Sequence, residues 1–240
     1  MNPTNKRHIA LRLSNKALGE FRAADDTLWL YDAIATDEEE AYWMGGVAPR
    51  DFIAALRAID GPVTLRINSP GGSVFGAQAM VAAMREHPHP ITARIDSLAA
   101  SAASIIACEA SQTVMSPGSY LMIHKAWGLM VGNADDFLDY ATFLEKMDGE
   151  LAKTYARKAG DEDHEPWMAL MSAETWMTAE EAVEARLSDS VAEANTQRPL
   201  AQWDLSAYAK SPEIAGHDTD TEQRAARCRQ VAARAVLHRI

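Results

Sequence analysis

The chain has 240 residues, enough for one α/β domain with a substantial core and appended segments. Its composition, 48% hydrophobic and 24% charged, is that of an ordinary soluble globular protein, and a formal net charge of −11 argues against binding to nucleic acid or to an anionic membrane surface. Two cysteines in unrelated contexts, Cys108 and Cys228, argue against a disulfide framework or a zinc site, and the basic start MNPTNKRHIALRLSNK has no apolar core of a signal peptide, so a cytoplasmic location is expected.

From the N-terminus, TLWLYDAIA (27–35) reads as a first strand and the acidic TDEEEAYW (36–43) as a surface loop. APRDFIAALRAI (48–59) carries Pro49 where a helix opens and apolar residues at helical spacing. PVTLRIN (62–68) is short and β-branched and runs into the turn SPGG; SVFGAQAMVAAMREH (73–87) is predicted as the helix after it. ITARID (91–96) follows as a strand and SAASIIACEA (101–110) as a helix. Strand, glycine turn, helix, strand, helix is the pattern of βαβ units on a parallel sheet. QTVM (112–115) and YLMIH (120–124) are two more short strands, and a long helix is predicted over about 134–158, with Asn133 as N-cap and Gly160 past its end. TAEEAVEARL (178–187) opens with the capping box Thr178…Glu181, and SDSVAEA (188–194) adds a last strand.

The texture then changes. Residues 194–218 are mixed and turn-rich, as in a linker or loosely docked segment, and 219–240 carry five arginines and an apolar stripe, predicting an amphipathic helix. The expected division is an N-terminal segment (1–26), a central domain (27–193) and a C-terminal extension (194–240).

Three features carry chemistry. The glycine pair of INSPGG, between a strand and a helix, leaves backbone N–H groups open to an anion or an oxyanion, although a tight turn also needs glycine for its conformation alone. DSLAASAAS places serines at the start of a helix beyond the carboxyl end of a parallel strand, where α/β proteins build their sites. Both Ser101 and Ser104 follow two alanines, so local composition leaves the choice between them open. A serine nucleophile needs a base, and among seven histidines only His124 ends an apolar strand before a turn. His87-Pro88-His89 is too short for a zinc site, and no Walker-type glycine-lysine motif is present.

Taken together, INSPGGSVFGAQAM, IDSLAASAASIIA, LMIHKAWGLMVGNADD and ETWMTAEEAVEARLSDSV resemble, in order and spacing, the Clp-type serine peptidases, most of all their phage branch, the head maturation proteases. The resemblance implies a ClpP/crotonase-like spiral of βαβ units with a long handle helix, Ser–His–acid catalysis, a homo-oligomeric ring and no cofactor or metal. In such sequences the nucleophile lies twenty-nine positions past the second glycine, which selects Ser101 counted from Gly72. Gly72 and Ala102 then correspond to the oxyanion hole, His124 to the base, and Gly71 and Ser73 to substrate-binding positions. Ser104, almost a turn deeper, is expected to pack or to bond a backbone carbonyl, and Ser97 to help form a turn before the helix. The family's triad aspartate is replaced here by Glu174, with Asp189 as runner-up, and Arg186 stands where the family usually has glycine. The implied substrates are capsid, scaffold or portal proteins. Alternatives are a Clp proteolytic subunit serving a separate ATPase, a crotonase-type acyl-CoA enzyme, which needs no Ser–His pair, and a catalytically silent ring component.

Overall fold

Short aliphatic runs between glycine and proline turns form the strands of one sheet in a computed structural model that describes residues 20–193, 203, 205 and 208–212. The main path runs β1 (Glu20–Ala24), β2 (Thr27–Tyr31), β3 (Val63–Ser69), β4 (Ile91–Ala100), β5 (Gln112–Met115) and β8 (Ser190–Val191). β1 joins β2 antiparallel and the other neighbours on this path are parallel. The expected N-terminal segment therefore ends in a strand of the sheet.

β4 is the longest strand, and the sheet forks along it. Its first half, Thr92–Ile95, pairs with β5, while Leu98–Ala100 pair with β6 (Tyr120–Ile123). β6 in turn pairs antiparallel with β7 (Thr175–Thr178). Beside the fork, Asp96 accepts both prongs of the Arg66 guanidinium at 2.7 Å and the Tyr31 hydroxyl at 2.5 Å, which ties β2, β3 and β4 together.

Seven helices are described. α1 (Glu38–Met44) forms where a loop was expected: Asp37 caps the Glu40 amide at 2.8 Å, and three glutamates in the first turn complement the helix dipole. α2 (Pro49–Arg57), α3 (Val74–Glu86) and α4 (Ala102–Cys108) fall where the sequence predicts helices. α5 (Ala134–Ala159) has the Asn133–Asp136 capping box at one end and left-handed Gly160 at the other. α6 (Glu165–Ser172) and β7 were not anticipated, and α7 (Ala179–Glu184) begins at the Thr178 capping box. No helix among the described residues is long and apolar enough to cross a membrane.

The main core joins the sheet to α2, α3, α4, α6 and the second half of α5, with Leu28, Leu65, Ile67, Met80, Ile95, Ile105 and Tyr155 fully buried. Strand alternation sends Ala99, Leu121 and Ile123 into this core and Leu98, Ala100 and Met122 to the opposite face. That second face is covered by Trp203, Leu205 and Tyr208, each about 6% exposed. Burying side chains of this size contributes roughly 1.5–3 kcal/mol each. Within the segment expected to be a linker or loosely docked, the described residues around Trp203, Leu205 and Tyr208 thus dock on the sheet as a strap. The predicted 219–240 helix lies outside the described residues.

Candidate active site

Ser101 follows β4 directly and takes the N-cap position of α4 with φ 54° and ψ −124°, a backbone conformation residues with side chains avoid. Such a conformation persists only where surroundings over-determine it. Here the Ser101 amide donates to Met122 O at 2.9 Å. Its carbonyl accepts from the Ser104 amide at 2.9 Å and from the Ser104 hydroxyl at 2.6 Å. The bond to a backbone carbonyl expected of Ser104 is thus present and closes on Ser101 itself, and Ser104 Oγ also meets the buried Tyr155 hydroxyl at 2.8 Å. Ser97, by contrast, lies within β4 and forms no turn.

β4 and β6 run parallel with Ala100 beside Met122, so the residues just beyond each strand end emerge on the same side. His124 Nε2 lies 2.6 Å from Ser101 Oγ. With the ring proton on Nδ1, Nε2 accepts the serine hydroxyl's hydrogen. The turn after His124 is held from α5, whose buried Asp148 carboxylate accepts the Ala126 amide at 2.7 Å. Burial pulls the Asp148 carboxyl above its ordinary value, against the Ala126 bond and the nearby Lys125 charge. The other described histidines face other partners: His87 meets Gly61 O, His89 meets Asp60, and His164 lies near Glu165.

The glycine turn approaches from β3. Gly71 and Gly72 have φ of +91° and +147°. A side chain at Gly71 would put Cβ 2.5 Å from Ala100 O and 2.8 Å from Ser101 Cβ; one at Gly72 would put it 2.2 Å from Ile34 O. Glycine is required here for both conformation and close approach. Ile34 pins the turn by donating to Gly71 O at 2.9 Å and accepting from the Ser73 amide at 2.8 Å. Gly71 N–H donates to Ser69 Oγ at 3.2 Å, whereas Gly72 N–H meets no acceptor among the described residues. Ala102 N–H is the first of α4 and has no acceptor within the helix. Ser73 Oγ caps α3 by accepting the Gly76 amide at 3.1 Å. Ser73 lines the cleft, but Gly71, whose amide is bonded to Ser69 and whose carbonyl is bonded to Ile34, does not.

Ser101, His124 and Gly72 open onto a cleft of about 510 Å³ whose far wall is apolar, built from Phe75, Trp127, Leu129 and Phe143. Neither expected acid carboxylate is bonded to His124. Glu174 sits in a left-handed turn, φ +50°, and its oxygens accept from Trp176 Nε1 at 3.2 Å and from the Ala209 and Lys210 amides at 2.9 and 2.7 Å. Asp189 accepts the Thr113 amide at 2.6 Å and Lys158 Nζ at 2.8 Å; burial raises its carboxyl, but these bonds outweigh that and bring it below its ordinary value. Arg186 adopts the left-handed conformation, φ +60°, which a glycine would take freely. Sequence reasoning missed Asp148, Tyr155 and Tyr208, which act across 22 to 138 residues of chain and leave no local pattern.

The parallel sheet with its fork, the protruding α5, and a serine and histidine at neighbouring strand ends define a ClpP-like α/β fold. A sequence model of the Clp protease family matches residues 52–195, and the chain belongs to that family. It is similar to the ATP-dependent Clp protease proteolytic subunit of Bacteroides fragilis, 31% identical over 131 residues, 54% of this chain and 63% of that protein. Subunit 1 of Protochlamydia amoebophila is 33% identical over 134 residues, 54% of this chain and 65% of that protein. Chlamydia abortus subunit 1 is 31% identical over 134 residues, 54% of this chain and 69% of that protein. The chain thus spans less than two thirds of the length of the first two.

Proposed function

We propose that the chain is a serine endopeptidase in which Ser101 is the nucleophile and His124 the base. The observation that carries this reading is the 2.6 Å Ser101 Oγ–His124 Nε2 contact at the mouth of the cleft. In the proposed reaction His124 Nε2 takes the Ser101 proton as Oγ bonds to the scissile carbonyl carbon. The negative charge that develops on the carbonyl oxygen is met by the Gly72 and Ala102 N–H groups. His124 then protonates the departing amine, and water, activated by the same imidazole, releases the acyl group. Glu174 has no part in this reading as the orienting acid, since its carboxylate is engaged with Trp176 and the strap.

The domain assignment is proposed accordingly: one peptidase unit that begins with β1 and includes the strap, with the remaining C-terminal residues as an extension. Its substrates are proposed to be capsid-assembly proteins, on the sequence resemblance to phage head maturation proteases, and its assembly a homo-oligomeric ring. The names of the relatives favour a second reading, a general proteolytic subunit that receives unfolded chains from a separate ATPase.

A fluorophosphonate probe tests the chemistry: it should label the wild type and leave Ser101→Ala unlabelled, and equal labelling of both removes the proposal. Acyl-CoA thioester hydrolysis by the wild type without probe labelling would favour crotonase-type chemistry instead. Cleavage of a prohead precursor without added ATPase supports the maturation reading; cleavage only of unfolded protein, and only with a Clp ATPase, supports the second.

A further inference from the structure

The strap lies outside the residues 52–195 that match the family, yet it contacts both halves of the site. Tyr208 donates its hydroxyl to Pro70 O at 2.5 Å, one residue before the Gly71–Gly72 turn. Its ring meets His124 edge-to-face, with centroids 5.4 Å apart and planes at 87°. Trp176 packs behind it at 5.6 Å and Tyr120 behind Trp176 at 6.5 Å, an aromatic column rooted in β6 and β7. The strap is tied down on both sides of Tyr208. Trp203 Nε1 donates to the buried Asn68 Oδ1 at 2.7 Å, Ala209 and Lys210 donate their amides to Glu174, and Lys210 Nζ reaches Ala173 O at 2.5 Å.

A side chain that only buried the outer face of β4 and β6 would need none of this polar anchoring, since Leu205 does that with no polar side-chain atom. Tyr208 instead joins the donor loop to the base. An imidazole can rotate about its bonds to the backbone, and an edge-to-face partner limits that rotation. Ile34 fixes Gly71 O and the Ser73 amide of the glycine turn, and the Tyr208 bond to the preceding carbonyl adds a third constraint on where the Gly72 N–H points.

Resting on the serine-peptidase reading, we infer that Tyr208 is a positioning residue: it sets the His124 ring and the Gly72 turn in mutual register, and Glu174 anchors the strap that delivers it. Its contribution therefore falls on the chemical step and leaves substrate binding in the cleft unaltered.

Saturation kinetics of fluorophosphonate labelling on the full-length chain test this. Tyr208→Leu should lower kinact about 100-fold with KI within about twofold of wild type, since small misplacements of reacting groups carry losses of that order. Tyr208→Phe keeps the ring and loses only the bond to Pro70, so it should restore most of that loss and stay about 5- to 10-fold below wild type. Wild-type kinact in both variants, or a loss confined to KI, overturns the inference. Should Tyr208→Leu fail to fold by circular dichroism, Tyr208→Phe decides alone, and an unchanged kinact overturns it. Wild-type labelling no faster than that of Ser101→Ala is a different failure: it removes the peptidase reading, and the inference with it.

Discussion

Holding a residue with a side chain in a sparsely populated backbone conformation costs about 1–3 kcal/mol, and at Ser101 the opposing contacts converge on its own amide and carbonyl. Ser104 supplies two of them, so Ser104→Ala removes the hydroxyl bond and strands the buried Tyr155 hydroxyl. A loss of about 1–3 kcal/mol in stability is expected, read from the urea midpoint at constant m-value. Gly72→Ala should be worse in kind, because its Cβ would sit 2.2 Å from Ile34 O with φ at +147°. Labelling by the serine probe should fall at least about 100-fold, the scale for losing one donor of the proposed oxyanion hole. Asp32 gives a prediction in pH. Its carboxyl is pushed up to about 6 from 3.8 by burial, against bonds from the Ala33 and Gly46 amides that pull it down. The folded state therefore binds this proton more tightly than the unfolded chain, and stability falls as pH rises from about 4 to about 6, then levels. The Asp32 contribution is at most about 3 kcal/mol, and Asp32→Asn should make the slope shallower in chemical unfolding across pH 4–7, leaving the share of Asp148, whose carboxyl burial also raises.

Among the elements, the strap and α5 behave differently from what local sequence suggests. If Glu174 oriented His124, Glu174→Ala would lower probe reactivity by about 10⁴, as loss of the orienting acid does in serine proteases. As a strap anchor it should cost about 10- to 100-fold, accompanied by faster hydrogen exchange at Ala209 and Lys210. Asn133→Ala should speed exchange in the first turn of α5 while moving global stability by no more than about 1 kcal/mol, because the capping box sits on the half of the helix that protrudes. Helices with a capping signal were legible in the sequence: Asn133, Thr178 and Pro49 each mark a start that the structure keeps. The acidic 36–43 stretch was not, because its three glutamates signal solvent exposure while Asp37, the residue that makes it helical, is one carboxylate among several. β7 was illegible for another reason: four residues, TWMT, too few for alternation to register, become a strand only by pairing with β6. The Ser101–His124 juxtaposition could be anticipated because motif order constrains it. The Glu174 contacts could not, since they depend on where Ala209 and Lys210 return to the sheet.

At the scale of the whole molecule, the first half of α5 and the residues leading into it expose a set of apolar side chains, including Val131 at 94% and Leu138 at 68%. A second copy of this chain is the occupant expected from the proposed ring. Leu138→Asp should lower the molar mass measured by light scattering, and an unchanged mass would place the subunit contact elsewhere. The forked sheet also determines where the chain tolerates changes of length. Ser101 and His124 are aligned by the three residue pairs Leu98–Tyr120, Ala99–Leu121 and Ala100–Met122, and by nothing in the β5–β8 branch. One extra residue beside Gly118, where an added Cβ meets nothing within 4 Å, would be absorbed by the turn between the branches. The same insertion between Leu98 and Ser101 would reverse every side chain after it, turning Ala99 from core to strap, Ala100 from strap to core and the serine away from the imidazole. Insertions and deletions among related chains should therefore gather around the 116–119 turn and avoid the last three residues of β4.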